Sequence, residues 1–171
     1  MENQGPDQRL RGKDQVNGMK KDVMISIRGL QRFEGADQDS VELVTPGVLS
    51  TVAGGYNLSY QETEITGLQG TITSFQVFPE QVSMVRVGTV CLQMVFEQGR
   101  RHYSIYETPY GNMSVGVRTE KMHNTLGESG GQIDIKYDIE IDHAMAGSNE
   151  FHINVREVNG GAVAQSSAVP Q

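Results

Sequence analysis

Glu62, Arg86, Arg101 and Glu107 are the residues best suited to recognition chemistry. Each shares a period-two strand face with apolar or aromatic side chains that need burial. Tyr56, Leu58, Tyr60 and Glu62 make one such face, and Val82, Met84 and Arg86 a second. Arg101, Tyr103, Ile105 and Glu107 make a third, beside Met113, Val115 and Val117. A guanidinium meets a carboxylate in a planar fork, so Arg86 and Arg101 are expected to pair with Glu62 and Glu107 inside one end of the fold. With Tyr60 and Tyr103, these charges would form a polar floor able to grip the head group of a small amphipathic or anionic ligand. The plainer alternative is a satisfied core network, or strand-end charges already in water. Buried charge is costly unless paired and hydrogen-bonded, so the two readings place different demands on the fold.

Other chemistries find little support. His102, His123, His143 and His152 are not spaced at i,i+2 or i,i+4, so there is no zinc pattern and no metal or cofactor is expected. His102 and His152 are placed on the solvent face. Glu62 and Glu64 invoke a carboxylate acid–base pair, but the rim of a strand explains them equally well. No serine occupies a nucleophile elbow, and Gly111-Asn112-Met113-Ser114-Val115-Gly116 lacks the lysine of a phosphate loop. Cys91, the single cysteine, reads as a core or turn thiol and permits no internal disulfide. No catalytic residue is assigned, and an enzyme is not the expected outcome.

The elements that must position these side chains are short strands. Val23, Ile25 and Ile27 open the series. Val41 and Leu43 follow, interrupted at Pro46-Gly47 before Val48 to Val52 resume past a bulge or bend. Gly54-Gly55, Gly67 to Gly70, Pro79-Glu80-Gln81 and Gly88 punctuate the next segments. Gln98-Gly99 reads as a tight hairpin, and Thr108-Pro109-Tyr110-Gly111 as a turn. Glu120 to Gly131 has room for a single helical turn. Ile133, Ile135, Tyr137, Ile139 and Ile141 then alternate with Asp134, Lys136, Asp138, Glu140 and Asp142, a greasy face backed by a charged one. Ala144 to Asn149 is read as a turn before Phe151, Ile153 and Val155.

With no helix of ordinary length for crossovers, a parallel sheet is excluded. A closed antiparallel up-and-down β-barrel of about 8–10 strands is favoured over a sandwich, since closure removes exposed edges. Residues 1–21 are expected to be a disordered leader, 22–157 the barrel and 158–171 a flexible tail. Asp and Glu number 21 against 14 Lys and Arg, a formal charge of −7, which argues against nucleic acid or an anionic membrane surface as partner. No apolar run approaches the length of a membrane helix, and Met1 to Gly18 lacks the apolar core of a secretory signal. Cytoplasmic residence is expected.

Several motifs carry a family likeness: Asp22-Val23-Met24-Ile25-Ser26-Ile27, Thr66-Gly67-Leu68-Gln69-Gly70-Thr71, Tyr106-Glu107-Thr108-Pro109-Tyr110-Gly111 and Ile139-Glu140-Ile141-Asp142-His143. With Ser59 to Glu62 and Gln93 to Glu97, they resemble the uncharacterised bacterial family called domain of unknown function 1934. Members of that family resemble the calycins, the superfamily of lipocalins and fatty-acid-binding proteins. The resemblance covers about Asp22 to Glu157 and implies a calycin-like barrel; it carries over no catalytic or ligand-binding residue. Two functions stay open. One is a barrel holding a small amphipathic or anionic ligand. The other is a structural or protein-interaction module with a filled core, including a homodimer through an unclosed edge.

Overall fold

The computed structural model describes residues 18–33 and 35–158, and in it most residues belong to one antiparallel sheet. The strands are β1 (Lys20–Phe33), β2 (Gln38–Val52), β3 (Gly55–Gln61), β4 (Ile72–Val77) and β5 (Val82–Val87). They continue as β6 (Leu92–Phe96), β7 (Arg101–Thr108), β8 (Gly111–Asn124), β9 (Gly130–Ile141) and β10 (Ala144–Glu157). The order across the sheet is β6-β5-β4-β3-β2-β1-β10-β9-β8-β7. Apart from β6 and β7, which end the order, each strand therefore pairs with its sequence neighbours, and β1 also pairs with β10, which curls the meander into a nearly closed barrel. The expected up-and-down barrel is the fold found.

Closure is incomplete between β6 and β7, which share no ladder. A turn joins them at one end, where the Arg100 N–H donates to the Glu97 carbonyl at 2.9 Å. At the other end Cys91 and Glu107 exchange backbone bonds of 3.0 and 2.8 Å. Between the turn and that bridge runs a seam. Because the topology is up-and-down, the β1–β2, β3–β4, β5–β6, β7–β8 and β9–β10 connections all gather at the Cys91–Glu107 end.

Alternation sets what lies inside. Val23 and Ile25, Leu49, Leu58, Phe75 and Val77, Val82 and Met84, Phe96, Val115 and Val117, Ile133 and Ile135, Ile153 and Val155 are all buried in one core. Tyr137 is at its centre, with ring centroids 4.9 Å from Phe96 and 5.5 Å from Phe151. The Phe96 contact is edge-to-face and the Phe151 contact tilted, and such aromatic pairs add to the area each ring buries.

Several local expectations change. β1 begins at Lys20, ahead of the Asp22 expected, and Met19 is bonded through its backbone to Thr51. β2 runs unbroken through Pro46, because β3 pairs only with Val48–Val52 and the missing proline N–H costs no ladder bond there. The helical turn lies not within Glu120–Gly131, where β8 continues to Asn124, but at Glu64–Thr66, capped by the Thr63 hydroxyl. The last hairpin turns at Asp142-His143, both at positive φ, so Ala144 to Asn149 is already strand. The leader and tail fall outside the described residues, apart from Gly18 to Lys21 and Val158.

Candidate binding site at the barrel mouth

The β3–β4 connection carries the site. Tyr56, Leu58 and Tyr60 alternate inward along β3, and Glu62, just past the strand end, keeps that parity. Its side chain is only 1% exposed. The chain then folds through the Glu64–Thr66 turn and back, so that Thr66 donates its hydroxyl to Glu62 Oε2 at 2.6 Å. Thr73, on β4 directly opposite Tyr60, donates to Glu62 Oε1, also at 2.6 Å. Two short charge-assisted bonds thus hold a buried carboxylate without any cation in hydrogen-bond range.

Arg86 is the next residue in that row, paired with Thr73 across β4 and β5. Its Nε donates to Thr73 Oγ1 at 3.4 Å, and a terminal nitrogen stands 3.9 Å from Glu62 Oε1. The side chain is 23% exposed at the mouth. Burial above all, and then the neighbouring Glu62 charge, hold the Tyr60 phenol well above its ordinary value. Tyr60, Glu62 and Arg86 therefore meet on one wall. The cleft above them has a volume of about 310 Å³, and Ile27, Leu43, Phe75, Met84 and Phe151 supply much of its apolar lining.

Arg101, Tyr103 and Glu107 do not join them. All three are exposed on the outside, and the face of β7 turned toward the barrel carries His102, Ser104 and Tyr106 instead. The cause is one extra residue in the preceding turn. A two-residue turn at Gln98-Gly99 would set Phe96 opposite Arg101, and both would face in. Stepping along the two strands from the Cys91–Glu107 bridge instead sets Phe96 opposite His102. Gly99, at φ +78°, absorbs the added residue in the left-handed region. Outside, Arg101 pairs with Glu140 at 3.3 Å, and Tyr103 lies over Gly116, where a Cβ would come within 2.8 Å of its ring. Glu64 sits in the exposed turn and shares no face with Glu62.

The histidines are scattered. His102 contacts Glu97 at 3.2 Å, His123 and His143 are exposed, and His152 stands on the outer face between Asp134 (2.8 Å) and Glu150 (3.2 Å). The Asp134 bond, with Glu150 behind it, raises the His152 pKa above its ordinary value. Among the described residues, no group of three or more His, Cys, Asp and Glu could hold a metal ion. Sequence reasoning missed Thr66 and Thr73, the partners that make Glu62 tolerable. Thr73 was accessible by parity, since it alternates with Phe75 and Val77.

A family model, domain of unknown function (DUF1934), matches residues 25–153. The chain belongs to this family. Over 124 residues it is 26% identical to the uncharacterized beta-barrel protein YwiB of Bacillus subtilis, covering 72% of this chain and 86% of that protein. The crystal structure of YwiB from Bacillus subtilis matches with a TM-score of 0.73 at 20% identity, covering 82% of this chain and 94% of the other. At that identity the likeness is one of fold. The family expected from the motifs is the one found, and its relative is a β-barrel as well. Among the described residues of this DUF1934 barrel, no helix is long and apolar enough to cross a membrane.

Proposed function

We propose that the barrel binds a small amphipathic molecule at its mouth, with the apolar part against Phe75, Met84 and Phe151 and an anionic head group on Arg86. The observation that carries this reading is the unspent guanidinium. Arg86 has five N–H donors, of which one makes a long bond to Thr73, while Glu62 is already satisfied by two hydroxyls. A carboxylate could therefore take the fork that Glu62 leaves free. The volume is at the small end of ligand pockets, which suits a short-chain acid better than a long lipid. A free Cys91 without a disulfide partner fits residence in the cytoplasm.

Calorimetric titration with nonanoate and with nonan-1-ol tests the proposal. Nonanoate should bind, and Arg86→Leu should weaken it more than tenfold while changing the alcohol less than twofold. Gly29 lines the cleft with no side chain, and a Cβ added there would meet Phe151 only at 4.0 Å. Gly29→Ile should therefore fill the space and abolish binding with the fold retained. Equal losses for acid and alcohol in Arg86→Leu would reject the head-group role.

A second reading, self-association as an interaction module, is favoured by Tyr103 and Ile105, which are 54% and 55% exposed beside the unladdered edge of β7. Native mass spectrometry separates the two, through a ligand-loaded monomer or a dimer that Ile105→Lys dissolves.

A further inference from the structure

Thr119, Tyr137 and Asn149 are direct cross-strand partners on β8, β9 and β10, and all three point into the barrel, at 1%, 1% and 8% exposure. Asn149 Nδ2 donates to the Tyr137 hydroxyl at 3.1 Å. That single bond leaves Asn149 Oδ1 and Thr119 Oγ1 with no partner among the described residues. Buried polar atoms in a folded protein are paired as a rule; of three such side-chain atoms without a partner among the described residues, Thr71 Oγ1 being the third, two lie on this row, and Asn149 Oδ1 asks for an occupant.

The row borders the proposed cleft. Gln31, the partner of Asn149 across β1, lines that cleft, and so does Phe151, which is next inward along β10 and packs on the Tyr137 ring. Arg86 lines the same cleft as Gln31 and Phe151. An anionic group held by Arg86 would thus share one cleft of about 310 Å³ with Gln31 and Phe151, the neighbours of Asn149.

Building on the ligand-binding reading, we infer that Asn149, with Tyr137, selects amphipathic acids bearing an amide or hydroxyl close to the acid group. The ligand N–H or O–H would be donated to Asn149 Oδ1, and an amide carbonyl would accept from the Tyr137 hydroxyl, whose own hydrogen is unused. An apolar pocket alone would disfavour such a molecule, because its polar group would lose water without compensation.

The test compares N-hexanoylglycine with nonanoate, a plain acid of matched length, by calorimetry on the full chain. The wild type should bind the amide acid at least tenfold more tightly. Asn149→Leu should reduce that preference below twofold and leave nonanoate affinity unchanged. Should Asn149→Leu fail to fold, Asn149→Ala removes the same acceptor with less bulk and should show the same loss. Equal wild-type affinities, with Arg86→Leu weakening both acids, would overturn this inference and leave the mouth site standing; the row would then hold only trapped water. Binding of neither acid would overturn both.

Discussion

Glu62 shows how a single buried charge is made tolerable. Its two oxygens each accept a hydroxyl at 2.6 Å, and Arg86 is a more distant partner. Thr73→Val should therefore destabilise the barrel by about 1.5–3 kcal/mol, the scale of a hydrogen bond to a charged group, as read by urea unfolding. Arg86→Leu should cost less, because the guanidinium is partly solvated; a larger loss than Thr73→Val would show that the ion pair dominates. The phenols give a second reading. Burial pushes Tyr137 up to about 12 and raises Tyr60 as well. The unfolded chain titrates near the ordinary value of about 10, so between pH 10 and 12 the folded state binds more protons than the unfolded. Stability from these phenols is complete below pH 10 and falls as pH rises through that window. Absorbance titration of the folded protein should find the Tyr60 and Tyr137 phenols ionising well above the ordinary value. Simultaneous titration of all tyrosines in the folded protein would contradict the buried placement.

The strands were legible where alternation was long and the turns ordinary. The greasy face of β9 and the inward row Tyr56, Leu58, Tyr60, Glu62 follow from period two alone, because each lies between turns that add no residue out of phase. The face of β7 was not legible, since parity passes through a turn only if its length is known, and Gln98-Gly99 conceals an extra residue. Asn149 escaped because its strand was started too late; extending the alternation back from Phe151 would have turned it inward. Gly99→Ala tests the turn: a side chain at φ +78° should cost about 1–2 kcal/mol, whereas Gln98→Ala should be nearly neutral. At the outer crossing of β1, β10 and β9, His152 bridges Asp134 and Glu150. Its raised pKa means that this stabilisation is fully present below the ordinary histidine value of about 6.5 and is lost as pH rises through the folded value. Partial exposure keeps the effect below about 1 kcal/mol. His152→Asn should flatten the melting temperature between pH 6 and 8, and a wild type whose stability increased over that range would refute the assignment.

At the scale of the molecule, the barrel has one well-laddered side and one seam. β1 is bonded on both edges, to β2 and β10, over nearly its whole length, while β6 and β7 meet only at a turn and a bridge. Native-state hydrogen exchange should reflect this, with the amides of Val95 and Ile105 opening well before those of Ile25 and Ile153. Uniform protection around the barrel would mean that the seam is closed in solution.

The β1–β10 pairing has a consequence for the order in which the chain is made. Val23 and Ile25 lie opposite Glu157 and Val155, so the first strand to leave the ribosome waits for the last. Until then β1 and β2 can form a hairpin, but the far edge of β1 stays open, offering a row of free backbone groups to any neighbouring nascent chain. Closing so long a loop is entropically slow, which prolongs that exposure. During synthesis the hazardous edge is therefore not the seam visible in the finished barrel. It is the strand that ends up most thoroughly protected.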